Sequence, residues 1–212
     1  MGGAVGKQFL RIGNNPVIVE TLLVFQSTPE VNEIILVTSE SDLSLSESLV
    51  KKHAITKVKK VVAGGRERQD SIRNGLLSVD PDAEVIVVHD GVRPFVTSRI
   101  IRETVETAKE KGAAIAAVPV KDTVKSVDEG VIGRTVPRDN LWLAQTPQTF
   151  SASLLKRAYA AAGERGFIGT DDASLVEALG EEVRIVMGDY RNIKITTPED
   201  LLFAEAILKE KG

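Results

Sequence analysis

The sequence predicts an α/β fold: a doubly wound, mostly parallel sheet with helices on both faces and a protruding β-hairpin arm. Three observations predict it. Short runs such as Glu33–Thr38, Val85–Val88 and Ala113–Val118 are almost wholly apolar, which suits strands covered on both faces rather than strands with one wet side. These runs alternate with stretches whose apolar residues recur at helical spacing, the order of a βαβ chain. The alternation breaks at Pro119, after which Val120–Arg138 shows two polar, β-branched arms around Asp128, Glu129 and Gly130, the pattern of a hairpin.

In chain order, the glycine-rich opening MGGAVGKQFLRIGNNP carries no strand pattern and reads as a loop. Pro16 opens a helix that Val17, Leu22, Val24 and Phe25 continue to Gln26. Glu33–Thr38 is a strand, Leu45–His53 a short helix and Lys59–Ala63 a second strand. After the loop Gly64–Arg68, Ile72, Leu76 and Val79 mark a helix in which Gly75 is a weak point. Strand Val85–Val88 follows. Thr97 or Ser98 then caps a helix presenting Ile100, Ile101, Val105 and Ala108 and stopping at Gly112. Beyond the arm, Leu141–Ala144 reads as a short strand, Ser151–Ala162 as a helix, and Gly169–Asp172 as the lead into a short helix ending near Gly180. Val183–Met187 and Asn192–Thr196 read as strands. Thr197, Pro198, Glu199 and Asp200 start the last helix with a capping hydroxyl, a proline and first-turn acids. The chain reads as one domain over 1–212, with the arm at about 120–139.

Composition narrows the function. At 212 residues the chain is long enough to bury about 70% of its unfolded surface. Net charge is −3, with basic and acidic residues interspersed, which argues against a nucleic-acid footprint or a membrane-surface patch. The absence of cysteine removes disulfides, thiolate nucleophiles and cysteine metal sites, and the 2 histidines argue against a histidine metal centre. No apolar run approaches ~18 residues and no signal-like segment opens the sequence, so a soluble cytoplasmic protein is expected.

The sharpest change of character lies in EVIVVHDGVRPF, Glu84–Phe95, where a buried strand gives way at once to His89, Asp90, Gly91 and Arg93. Ligands of open α/β sheets bind at the carboxyl ends of the strands; a structural Asp–Arg pair in a polar turn is the competing reading. Thr146, Thr170 and Lys194 also lie in or near segments that follow strands. Loops at one sheet edge converge, and cations with hydroxyls around a cleft suit a phosphorylated small molecule. Singly each is a weak signal: Lys194 alone reads as a solvated surface lysine, and Thr146 before Pro147 as turn chemistry. The arm is too small to be stable alone, so it rests on a second copy of the chain or folds back on its own domain.

Together the segments GKQFL (Gly6–Leu10), VAGGRERQDS (Val62–Ser71), VHDGVRPF (Val88–Phe95), VPVKDT (Val118–Thr123), QTPQTF (Gln145–Phe150), TDDAS (Thr170–Ser174) and NIKITTPEDL (Asn192–Leu201) resemble the 2-C-methyl-D-erythritol 4-phosphate cytidylyltransferases. The resemblance implies a Rossmann-like sheet and transfer of CMP from CTP to methylerythritol 4-phosphate with loss of pyrophosphate, a step of non-mevalonate isoprenoid synthesis. It implies that Lys7 stabilises the transition state, that Arg138 and Lys194 hold the attacking phosphate, and that Asp90 and Arg93 lie where nucleotide and substrate meet. Thr123, Thr146 and Thr170 would complete the substrate pocket. Gly65, Ser71, Asp90 and Gly91 would meet the nucleotide. Mg²⁺ or another divalent cation would be carried mainly by the CTP phosphates, with Asp90 as a candidate ligand. The family's arms cross in a homodimer, so Thr123 and Arg138 would serve the partner's site.

The sequence departs from the family's usual beginning, a buried strand and glycine-rich, arginine-bearing loop; Met1 stands where that loop closes. The departure predicts neighbouring strands with unpaired edges, a weakened triphosphate site and a less stable, less active chain. The alternatives carried with the resemblance are a ribitol-5-phosphate cytidylyltransferase and a catalytically impaired dimeric scaffold.

Overall fold

The computed structural model describes residues 6–211, so Met1 lies outside the described residues. The opening is more ordered than a loop. A 3-10 turn at Lys7–Phe9 leads to two short antiparallel strands, β1 (Arg11–Ile12) and β2 (Asn15–Pro16). Gly13, at φ 58°, supplies the left-handed backbone between them. Pro16 caps α1 (Val17–Ser27) and is not its first residue.

Strands β3 (Ile34–Thr38) and β4 (Val58–Ala63) pair in parallel as a two-stranded sheet, with α2 (Leu43–Lys52) between them in sequence. A second sheet has the order β10-β6-β9-β5, from β5 (Val85–Val88), β6 (Ala113–Pro119), β9 (Trp142–Ser151) and β10 (Arg184–Met187). β10 and β6 are parallel, whereas β9 runs antiparallel to both of its neighbours. The sheet is therefore mixed. The short strand expected at Leu141–Ala144 continues through Gln145–Phe150, because both edges of that segment find partners, β6 on one side and β5 on the other.

Helices cover both faces. Val85 and Val87 pack toward α1 and α4 (Ser98–Lys111) with Phe25, Ile100, Ile101 and Val105, while Ile86 and Val88 pack toward α5 (Ala152–Arg165) with Phe150, Leu155 and Ala158. This two-sided packing explains why β5 is apolar at every position. α3 (Arg68–Leu76) follows β4, and α6 (Asp172–Glu177) precedes β10. Thr97 caps α4 by accepting from Ile100 N, and Gly112 ends it at φ 89°.

The NIKIT segment is not a strand. It joins the core through Ile195 N, which donates to Val92 O at 2.9 Å, and through the fully buried Ile195 side chain. One such bond ties the segment across the end of the sheet without a ladder. α7 (Pro198–Lys211) begins as expected, with Asp200 Oδ2 accepting from Thr196 N and Thr197 N.

The arm consists of β7 (Val124–Asp128) and β8 (Val131–Val136), which among the described residues pair only with each other. Its loop, Glu129 at φ 46° and Gly130 at φ 83°, is the two-residue left-handed kind that matches strand twist. Between β3 and β5 lies a cavity of about 940 Å³, lined by Ile34–Thr38 and Val85–Val88. Among the described residues no strand pairs with either facing edge. Among the same residues no helix is long and apolar enough to cross a membrane.

Candidate active site

The carboxyl end of β5 sets the site. His89 turns inward, its ring centroid 4.9 Å from that of Phe25, with Nε2 3.2 Å from the Arg93 carbonyl. That pairing makes Nε2 the protonated nitrogen and leaves Nδ1 buried without a partner. Burial pushes the His89 pKa down to about 4, so the ring is neutral near pH 7 and has a structural role. Gly91 packs against α1: a Cβ there would meet Ile18 Cδ1 at 2.6 Å, and its carbonyl accepts from Thr21 Oγ1 at 3.0 Å. With both flanking residues fixed, Asp90 is held at the strand end.

Asp90 collects three cations. Arg93 Nε lies 3.3 Å and Lys194 Nζ 3.1 Å from Oδ2, while Arg68 Nε lies 3.6 Å from Oδ1. Burial alone would raise the Asp90 pKa; Lys194 foremost, then Arg68 and Arg93, hold it below the usual carboxylate value. Three cations around one carboxylate leave the cluster positively charged and suited to an anion. The Asp90 backbone N–H donates to Thr146 Oγ1 at 3.1 Å. Arg93 also donates through NH1 to the Asn192 carbonyl at 2.7 Å, and Asn192 Nδ2 donates to the Thr146 carbonyl at 2.9 Å and to Gln145 Oε1 at 3.2 Å. Burial lowers the Arg93 pKa despite the Asp90 charge, with Arg68 adding repulsion.

A second network adjoins the first. The loop after β4 turns into α3 through a reciprocal cap between Glu67 and Asp70, and Gly65 N donates to Ser71 Oγ at 3.0 Å. Gly65 must lack a side chain, since a Cβ would lie 2.3 Å from Asp70 Cβ. Arg68 NH2 donates to Oδ2 of Asp172 at 2.8 Å, and Asp172 is fully buried. The Tyr159 hydroxyl donates to the other Asp172 oxygen, and Gln148 Oε1 accepts from the backbone N–H groups of Asp172 and Ala173, both at 3.0 Å. Burial first, then the Asp172 charge, raises the Tyr159 pKa. In Arg68 the pull of Asp172 and Asp90 outweighs the lowering by burial, so its pKa is raised.

Of the residues singled out from the sequence, Asp90, Arg93, Thr146 and Lys194 meet directly. Gly65 and Ser71 share a loop end that Arg68 ties to Asp90, and Thr170 is exposed next to the Asp171 cap of α6. Lys7 is exposed in the 3-10 turn. Thr123 and Arg138 are exposed at the two roots of the arm, outside the Asp90 network among the described residues. Sequence reasoning missed Arg68, Asn192, Asp172 and Gln148. Nothing local sets Arg68 apart from its charged neighbours in RERQD, and nothing local marks Asn192 or Gln148 as buried.

Among the described residues no three His, Cys, Asp or Glu side chains cluster to hold a metal ion. Both oxygens of Asp90 are already engaged by cations. Among the described residues these side chains form no preformed metal cage.

Mixed α/β layering with a cluster of cationic side chains at a strand end defines an α/β protein with a positively charged sheet edge. The profile of the IspD family, 2-C-methyl-D-erythritol 4-phosphate cytidylyltransferase, matches residues 1–210, and the chain belongs to that family. A protein of that name from Geotalea uraniireducens (strain Rf4) is 50% identical over 212 residues, covering 99% of this chain and 91% of the relative. Its namesake from Geobacter metallireducens is 49% identical, covering 100% and 93%. Among solved structures, 4-diphosphocytidyl-2C-methyl-D-erythritol synthase from Anaerococcus prevotii superposes with a TM-score of 0.87 at 34% identity, covering 97% of this chain and 93% of that one. The 2-C-methyl-D-erythritol 4-phosphate cytidylyltransferase from Thermus thermophilus gives 0.84 at 33% identity, covering 96% and 94%.

Proposed function

We propose that this chain transfers CMP from CTP to 2-C-methyl-D-erythritol 4-phosphate. A phosphate oxygen of the polyol phosphate attacks the α-phosphorus of CTP, the bond to the β-phosphate oxygen breaks, and pyrophosphate leaves. The observation that supports this most is the Asp90 cluster, where Lys194, Arg93 and Arg68 set positive charge at the end of β5. Such a transfer needs in-line positioning and fixed charge, with no covalent intermediate.

In this reading Lys194 and Arg138 hold the attacking phosphate and Lys7 stabilises the charge that develops at the α-phosphorus. Asp90 and Arg93 orient the substrate, and Thr123, Thr146 and Thr170 line its pocket. Gly65 and Ser71 accommodate base and ribose, Gly91 keeps the neighbouring backbone close, and the divalent cation arrives on the CTP phosphates. Two chains pair through the arm, so Thr123 and Arg138 of one protomer serve the site of the other. Exposed Val127, Val131 and Ile132 on the arm support such pairing, since they are 55%, 70% and 60% exposed in the single chain. At the arm's base Tyr190 donates its hydroxyl to the Pro119 carbonyl and lies under Lys121 Nζ, 3.4 Å from the ring centre.

The test is pyrophosphate release from CTP and Mg²⁺ with methylerythritol 4-phosphate or ribitol 5-phosphate. Release with the first is the expected result. Release with ribitol phosphate alone moves the substrate to a pentitol phosphate, and release with neither overturns the transferase reading.

A further inference from the structure

We propose that Arg68 is a positioning residue that keeps Asp90 compensated so that Lys194 can leave it for the phosphate of the incoming polyol phosphate. The inference rests on the reading of Lys194 as a phosphate ligand. In the free protein Lys194 is committed elsewhere: its Nζ lies 3.1 Å from Asp90 Oδ2. To hold phosphate closely, the ammonium has to weaken that pair. Its side chain is 39% exposed, whereas that of Arg93 is 12% exposed and fixed by the Asn192 carbonyl. Lys194 is thus the cation of the two on Oδ2 able to swing outward.

Arg68 is built to stay. Its Nε faces Asp90 Oδ1 at 3.6 Å while its NH2 is bound to Asp172 Oδ2 at 2.8 Å. Asp172 is itself fully buried and held by Tyr159 and by the Gln148 contact to its backbone. One planar guanidinium therefore bridges two carboxylates, which a lysine ammonium in its place could not match in geometry. When Lys194 moves away, Asp90 keeps Arg68 on one oxygen and Arg93 on the other. Without Arg68, Asp90 draws more of its compensation from Lys194, and the phosphate must compete with a tighter ion pair.

The test measures binding of methylerythritol 4-phosphate by calorimetry to wild type, Arg68→Gln and the double variant Arg68→Gln/Asp172→Asn. The single variant leaves Asp172 buried without its cation and melts lower; the double variant removes that buried charge and recovers melting temperature. Both variants are expected to bind the polyol phosphate roughly tenfold more weakly, the loss following the charge at Asp90 and not the melting temperature. Wild-type affinity in the single variant overturns the proposal. Wild-type affinity in the double variant also overturns it, because the effect would then come from packing at Asp172. Pyrophosphate release by the wild type is followed in parallel: its absence with the affinity pattern intact overturns the transferase reading and still supports the role of Arg68.

Discussion

The carbonyl oxygen of Asn192 receives the Arg93 guanidinium at 2.7 Å, although the two residues are 99 positions apart. The same asparagine uses its side-chain amide to hold the Thr146 carbonyl, so three separate segments are joined at one buried polar residue. Arg93 is thereby oriented before any ligand arrives, which lowers the ordering cost of binding.

Asn192→Ala should therefore weaken both fold and site. Removing the amide leaves the Thr146 carbonyl and Gln145 Oε1 short of donors, a loss of about 1–3 kcal/mol. Urea unfolding measures the stability change, and KM for the polyol phosphate should rise as the 192 segment loosens. Unchanged stability would mean that water replaces the amide.

The neutral, buried His89 predicts an acid sensitivity with a definite sign. Its folded pKa is about 4, below the ordinary 6.5, so the unfolded chain binds the extra proton first. Stability is complete above pH 6.5 and declines as pH falls toward 4, by about 2 kcal/mol at pH 5. Asp90 adds a loss of the same sign only at lower pH, once the pH falls below the ordinary carboxylate value towards the lowered one of the folded chain. Urea unfolding at pH 7 and pH 5 checks this, and His89→Gln should flatten the difference.

Gly65→Ala tests the loop after β4. The added methyl would sit 2.3 Å from Asp70 Cβ, so the loop has to shift away from its cap. CTP affinity, measured by calorimetry, should fall by about tenfold if this backbone meets the nucleotide, since displaced close contacts cost on the order of 1 kcal/mol or more. A lower melting temperature with normal CTP affinity would assign Gly65 to folding alone.

If the arm pairs two chains, wild type sediments as a dimer and Ile132→Glu, which puts a charge on the exposed apolar face of the arm, converts it to monomers. Sedimentation measures the mass, and an unchanged sedimentation coefficient would place the interface elsewhere. Mixing Arg138→Ala with Lys7→Ala chains should restore part of the lost activity if each arm serves the other site. Absence of recovery in exchanged mixtures would mean that each site is built from one chain.

Much of the architecture follows from local pattern. The unbroken apolar run Val85–Val88, the cap at Thr97 with its stop at Gly112, and the turn at Glu129–Gly130 are each dictated by a few neighbouring residues, and each is present. Asp90, Arg93, Thr146 and Lys194 were also visible as polar groups in segments near strand ends, and they do converge. Other readings lacked partners that only distant segments supply. The strand expected at Leu141–Ala144 runs on to Ser151 because β6 and β5 flank it, and Asn192–Thr196 reads as a strand although, among the described residues, no strand pairs with it.

Periodicity, caps and turns act over a few residues, so the order of amino acids was enough for the alternation of strands and helices, the arm and the chemical character of the site. Which distant groups meet was settled only by the folded arrangement. Arg68 reaches Asp172 across 104 positions, and Asn192 becomes a buried hub only once β9 is in place. A polar side chain inside a protein is retained where its hydrogen bonds are satisfied, and those partners come from segments far away in the chain.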